Sequence, residues 1–279
     1  MRAATAAAPT AEEAILERAA TENFSVAPFL LGRATRSRLR AIYGFARLVD
    51  ELGDEAEGDR LALLDRFEED LGRAFDGTPE HPLLVRLVPT IRGLSLPRAP
   101  FLRLIEANRR DQLVARYETY EELLAYCDLS ANPVGELVLH VFGAATADRI
   151  ALSDRVCTAL QILEHLQDVA EDFRRGRIYL PAEDLARFGV EPAGLAAPQA
   201  SRELRALVAF ETARARGLLE EGGALVGRLR GLARVAVAGY VGGGLATADA
   251  LAAARFDVLA STPRSGGARR LARTLGVLA

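Results

Sequence analysis

Asp50 and Asp54 stand four residues apart in FARLVDELGDEAEGD (45–59), and Asp168 and Asp172 repeat that spacing in QILEHLQDVAEDFRRGRIYLP (161–181). Four residues is close to one helical turn, so each pair projects from one face of its own helix. Like charges so placed repel by a few tenths of a kcal/mol, and neither pair has a cation four residues further on to relieve it. Spacing alone is a weak signal, since Asp65 with Glu69 and Glu118 with Glu122 show it too.

The neighbours on each stripe are more informative. Tyr43 and Arg47 precede Asp50 on one, and Gln161, Glu164 and His165 precede Asp168 on the other. On the second helix Ile162, Leu166, Val169 and Phe173 form an opposing apolar stripe. If the polar stripes face one another in a bundle, four carboxylates converge, and hard divalent cations would satisfy them. Mg²⁺ typically takes one or two carboxylates together with substrate phosphate oxygens, so the expected substrate carries phosphate. Arg47, Arg174, Arg175 and Arg177 are placed to contact a leaving diphosphate. For any one of these arginines, a solvated helix end is an equally good reading.

Composition removes other chemistries. The 35 basic residues other than His are all arginine, which excludes a Schiff-base lysine and a P-loop lysine. His81, His140 and His165 are too few and too scattered for a zinc site. Cys127 and Cys157 form no C-x-x-C pair and read as small buried hydrophobes. A net charge of −3 provides no broad basic surface for nucleic acid. A di-iron carboxylate bundle needs two Glu-x-x-His motifs, and the sequence has none.

Apolar residues recur at helical spacing nearly throughout, and no stretch alternates with period two, so the chain reads as all-α. Helices are expected over 11–21, 36–54, 59–76, 82–93, 99–110, 119–128, 132–144, 151–174, 182–188, 200–228 and 231–259. Breaks fall at DGTPEHP (76–82), SLPRAP (95–100), SANPVG (130–135) and GVEPAGLAAPQAS (189–201). None reads as an interdomain linker. The expectation is an Ala-rich leader over 1–20, one domain over 21–262 and an Arg-rich tail over 263–279. The leader lacks the apolar core of a signal peptide. The apolar region 231–260 is interrupted by Arg234, Asp249 and Arg255 and makes a poor membrane span. A cytoplasmic protein is expected, with weak contact of the tail with an anionic lipid surface as one reading of its arginines.

The order F-x-R-x-x-D-E-x-x-D, then R-Y-x-T-x-x-E-L-x-x-Y-C, then Q-x-x-x-x-x-x-D-x-x-x-D followed by G-R-I-Y-L-P resembles the squalene and phytoene synthase family, from about Glu22 to Leu259. The resemblance implies a single-domain isoprenoid synthase (terpenoid synthase type I) helical bundle, with Mg²⁺ and a prenyl diphosphate bound above a central apolar cavity. It implies Asp50, Asp54, Asp168 and Asp172 as metal ligands and catalytic residues. Phe24, Tyr43, Arg47, Tyr117, Gln161, Arg177 and Tyr179 are implied on the substrate side. Glu164 stands where the family usually has Asn and is a further oxygen ligand, and Gln167 replaces a common Arg.

E-N-F-x-V-A near the start and Y-C-x-L-S-A-N-P-V-G (126–135) resemble the hydroxysqualene synthase branch of bacterial hopanoid biosynthesis. That branch implies presqualene diphosphate as substrate, water as the quench and no requirement for NADPH. The implied partners are the substrate, the inner face of the membrane and other enzymes of the pathway. A head-to-head condensing enzyme and a non-catalytic helical partner protein are the alternatives. The run GYVGGGLATADAL (239–251) suits either close approach of a triterpene chain or close helix packing.

Overall fold

The computed structural model describes residues 31–279. Phe24, the expected helix over 11–21 and the expected leader lie outside the described residues. The chain divides into two compact units, one ending at Pro97 and the other running from Arg98 to Ala279.

Three helices make up the described part of the first unit: α1 (Arg33–Asp54), α2 (Arg60–Asp76) and α3 (Pro82–Leu94). On α1, Leu39, Ile42, Phe45, Leu48 and Val49 recur at helical spacing and are all buried. Phe45 stacks on Phe67 of α2 with ring centroids 5.6 Å apart. The Asp59 side chain caps α2 by accepting from Ala62 N, and Gly77 ends it in the left-handed region at φ 89°. The next turn is held by the buried Asp70 carboxylate, which accepts from Glu80 N at 2.8 Å, His81 N at 2.7 Å and Arg73 Nε at 3.0 Å. Burial opposes its charge, but these hydrogen bonds outweigh burial and hold its pKa below the usual carboxylate value.

In the second unit are α4 (Ala99–Leu113), α5 (Tyr120–Ser130), α6 (Asn132–Val141), α7 (Ala147–Arg174), α8 (Ala182–Phe188), a 3₁₀ turn (Pro192–Ala196), α9 (Arg202–Gly227), α10 (Gly231–Ala253) and α11 (Gly267–Leu278). The 28-residue α7 is the axis, packed most extensively on α9 and also on α5, α6 and α10. Its apolar stripe, Ile162, Leu166 and Val169, joins one continuous buried core with Leu204, Leu207, Val208, Leu219 and Val241. Truncating such a leucine to alanine costs about 2–5 kcal/mol.

Glycines permit the closest of these approaches. A Cβ on Gly222 of α9 would sit 2.7 Å from Val156 Cγ2 and 2.9 Å from Leu152 O of α7. One on Gly242 would sit 2.5 Å from Thr274 N of α11, and one on Gly244 2.8 Å from a Leu160 methyl. Of the two readings of GYVGGGLATADAL, close helix packing is therefore the one these contacts support.

Two elements differ from the sequence-based expectation. The late helix ends at Ala253, because Arg255 and Phe256 adopt positive φ (53° and 57°) and Phe256 N bonds back to Leu251 O. The tail contains a formed helix, α11, docked along α10 by Thr274 and by ion pairs from Arg273 to Asp249 at 2.7 and 2.9 Å. Among the described residues the only β pairing is an isolated parallel bridge, Arg116 with Ile178.

Candidate functional site

On α1 the polar stripe runs along the last three turns of the helix. Tyr43 is buried among the apolar residues, Arg47 and Asp54 are half-buried, and Asp50 is exposed. Arg47 Nη2 lies 3.6 Å from Glu55 Oε1 just past the helix end. Both partners are partly solvated, so this pair contributes little to stability.

In the second unit the chain builds a denser arrangement. After Arg174 the helix unwinds at Gly176 (φ 82°), where Gly meets no steric penalty. The segment GRIYLP then runs beside residues 115–118, with Ile178 N donating to Ala115 O and Ala182 N to Tyr117 O, both at 2.9 Å. That pairing lays Tyr179 back over α7. Its ring stacks on His165 with centroids 3.7 Å apart and planes inclined by 12°. Tyr117 and Tyr126 complete the cluster, with centroids 5.9 and 5.6 Å from Tyr179.

Asp111 anchors these rings from below, accepting from Tyr126 Oη at 2.8 Å and, at the 3.5 Å limit of a hydrogen bond, from Tyr179 Oη. Burial, and then the nearby Asp111 charge, push the Tyr117 and Tyr179 phenols far above their usual range. They stay neutral at any physiological pH and present uncharged π faces. The Tyr117 hydroxyl is buried with no hydrogen-bond partner.

His165 links this cluster to the aspartates. One ring nitrogen, Nε2, is 3.2 Å from Gln161 Nε2, and Nδ1 is 3.8 Å from Asp172 Oδ2. The second distance is too long for a hydrogen bond. Asp172 Oδ2 is thus buried without a hydrogen-bond partner, a costly condition for a carboxylate. One turn earlier the pKa of Asp168 is raised, by burial first and by the Asp172 charge second, with His165 and Arg264 partly relieving it. Two crowded carboxylates, one with an orphaned oxygen, fit a divalent cation that would supply the missing positive charge. Among the described residues no three His, Cys, Asp or Glu side chains gather closely enough to hold a metal by themselves.

Beside Asp172, Arg177 and Tyr179 lies a cavity walled by Leu123, Ile162, Leu166, Val169, Leu180 and Leu195, with Glu211 of α9 also on its lining. It encloses about 10 Å³, room for one water and not for a hydrocarbon chain. Glu211 is buried and accepts from Arg214 Nη1 at 3.0 Å, while its Oε2 has no partner. Burial raises its pKa to about 8. Arg214 also donates to the buried Asp184 at 2.6 Å and lies over the Tyr120 and Phe210 rings.

Of the residues singled out from sequence, Tyr117, Gln161, Asp168, Asp172, Arg177 and Tyr179 belong to this corner of the second unit. Tyr43, Arg47, Asp50 and Asp54 share one helix of the first. Glu164 is exposed on α7. Gln167 donates to Pro263 O, which holds the segment before α11 against α7, where Arg264 acts on Asp168. Sequence reasoning did not single out Tyr126, Asp111 or Arg264. Tyr126 lies inside the R-Y-x-T-x-x-E-L-x-x-Y-C motif, whereas nothing local marks Asp111 or Arg264. Cys127 and Cys157 are free, and burial pushes both thiols up to about 12, which makes them unreactive.

Residues 17–273 match the squalene/phytoene synthase family model. A hydroxysqualene synthase of Zymomonas mobilis is 36% identical over 203 residues, covering 71% of this chain and 68% of that protein. A 15-cis-phytoene synthase of Synechococcus elongatus is also 36% identical, over 72% of this chain and 70% of its own. Among solved structures, squalene synthase HpnC from Alicyclobacillus acidocaldarius superposes with a TM-score of 0.80 at 41% identity, covering 89% of this chain and 97% of that one. A helical fold shared over nine-tenths of its length and a family match over nearly the whole sequence lead to one conclusion: the chain belongs to the squalene/phytoene synthase family.

Proposed function

We propose that this protein is a magnesium-dependent enzyme of the hydroxysqualene synthase type, which ionises presqualene diphosphate and closes the resulting cation with water. The observation that carries the reading is the Asp168–Asp172 pair, one turn apart on α7, with the orphaned buried Oδ2 of Asp172 and the burial-raised pKa of Asp168, beside a cluster of neutral aromatic rings. A site that lacks positive charge at one edge and presents π faces at the other suits a diphosphate leaving from a carbocation. The hydroxysqualene branch is supported by the Y-C-x-L-S-A-N-P-V-G segment and by relatives of that name at 33–36% identity.

In this reading the α1 pair, Asp50 and Asp54, and the α7 pair, Asp168 and Asp172, are the carboxylates that would hold Mg²⁺. When bound, the metal supplies Lewis-acid stabilisation of the departing diphosphate. Arg47 and Arg177 would hold diphosphate oxygens through planar paired N–H contacts. Gln161 fixes the His165 ring, and His165 in turn fixes the Tyr179 face. Tyr117, Tyr126 and Tyr179 stabilise the cation by their π electrons and offer it no nucleophile, because their phenols remain protonated. Water is the quench and NADPH is not required.

A head-to-head condensing enzyme is the second reading, favoured by the equal 36% identity to a phytoene synthase. Mass spectrometry separates them. Incubation with presqualene diphosphate gives hydroxysqualene and incubation with farnesyl diphosphate gives no product if the first reading holds. Presqualene diphosphate formed from farnesyl diphosphate overturns it.

A further inference from the structure

A buried carboxyl on α9 lines the same cavity as Asp172, Arg177 and Tyr179. It belongs to Glu211, which is 1% exposed. Arg214, one turn on, donates through a single nitrogen, Nη1, to Glu211 Oε1 at 3.0 Å and to Asp184 Oδ2 at 2.6 Å. The guanidinium is itself fixed over the Tyr120 and Phe210 rings, 4.3 and 4.2 Å from their centroids. One cation thus serves two carboxyls, and burial, opposed by Arg214 and reinforced by Asp184, keeps a proton on Glu211 at neutral pH. Its other oxygen, Oε2, is buried with no hydrogen-bond partner, a condition that an ordered water relieves.

The cavity has the size that such a water requires: its volume of about 10 Å³ admits one molecule. The leucine, isoleucine and valine side chains of its wall give that water nothing to bond to. Of the polar side chains on the lining, Arg177 has no acceptor, and Tyr179 Oη is turned to Asp111. His165 has Nε2 on Gln161 and Nδ1 beside Asp172. Asp172 is one of the carboxylates that the proposed function assigns to the metal. Glu211 is therefore the acceptor for a water at which no cation competes.

We infer that Glu211 is the catalytic residue of the quench: it binds one water in this cavity at Oε2 and takes that water's proton as the new C–O bond forms. The inference rests on the hydroxysqualene synthase reading. A water that donates to Glu211 turns its lone pairs away from the carboxyl and into the cavity, which Tyr179 and His165 also line. The diphosphate leaves with the electron pair of its own C–O bond, and a lone pair of the water forms the new bond to the cation. One O–H bond of the resulting oxonium then breaks. Its proton goes to Glu211, and the proton already on Glu211 passes to Asp184 on the same guanidinium nitrogen. No oxidant or reductant is needed, and the product is an alcohol.

Incubation of the full chain with presqualene diphosphate and Mg²⁺, with diphosphate release and products followed together, tests it. Wild type gives hydroxysqualene. Glu211→Leu removes the acceptor, and Glu211→Gln keeps the Arg214 contact but cannot pass a proton on. In both, diphosphate is still released, and the ratio of hydroxysqualene to hydrocarbon formed by proton loss from the cation falls at least about tenfold. Where Glu211→Leu does not fold, Glu211→Gln decides alone. A wild-type ratio in a folded variant overturns the inference. So does a loss of turnover that leaves the ratio unchanged, the mark of a merely structural role, and so does complete loss of diphosphate release, since ionisation precedes the quench. Wild type that makes no hydroxysqualene from presqualene diphosphate overturns the hydroxysqualene synthase reading and this inference with it, an outcome that the wild-type arm alone reports.

Discussion

Asp172 shows how much a single side chain depends on its surroundings. Its Oδ2 is buried with no hydrogen-bond partner, and His165, stacked on Tyr179, stands 3.8 Å away, too far for a hydrogen bond. Tyr126 and Glu211 yield two predictions at this scale. Removing the Tyr126 hydroxyl deprives the Asp111 carboxylate of a 2.8 Å donor; Tyr126→Phe is expected to lose about 1.5–3 kcal/mol by denaturant unfolding while keeping the ring. Burial lifts the Glu211 carboxyl in the folded chain from its ordinary 4.5 to about 8. The folded chain therefore holds this proton where the unfolded chain has lost it, and stability falls as pH rises from about 4.5 to about 8 and is flat on either side. The melting temperature should decline over that range, and Glu211→Gln should remove this part of the decline. The aspartate pairs and Tyr117, Gln161, Arg177 and Tyr179 were legible in sequence because helical spacing and ordered motifs expose them. Asp111 and Arg264 were not, since each acts across a tertiary contact that no local spacing encodes.

At the scale of elements, helix boundaries followed from chemistry that acts over a few residues. Asp59, Thr119 and Ser201 each cap a helix by accepting from the backbone N–H three residues on, and Pro82 opens α3. Such signals are written in the sequence. The end of α10 was not, because Arg255 and Phe256 take left-handed conformations that their types do not announce. α11 was passed over as a tail although Leu271, Leu275 and Leu278 recur at helical spacing; its stability comes from docking on α10, and propensity alone would not hold so short a helix. The contact at Gly222 gives a prediction here. Gly222→Ala inserts a methyl group 2.9 Å from a main-chain oxygen of α7, and backbone cannot give way as a side-chain end can. A loss of about 1–3 kcal/mol is expected in thermal or denaturant unfolding, whereas Gly243→Ala, with nothing within 4 Å, should be neutral or slightly stabilising.

At the scale of the whole molecule, the all-α class and the family were legible because nearly every segment carries helical periodicity and the motifs occur in order along the chain. The division at Pro97 was not, since SLPRAP reads as a short break like the others. It puts Asp50 and Asp54 in one unit and Asp168 and Asp172 in the other. The most direct test is diphosphate release from presqualene diphosphate, followed against Mg²⁺ concentration for wild type, Asp54→Asn and Asp172→Asn. Release should depend on Mg²⁺, cease with a chelator, and fall at least about 100-fold in both variants, a loss of roughly 3 kcal/mol of transition-state stabilisation, with melting temperatures no lower than wild type. Wild-type release by either variant, or release in wild type that persists without divalent metal, would contradict the account.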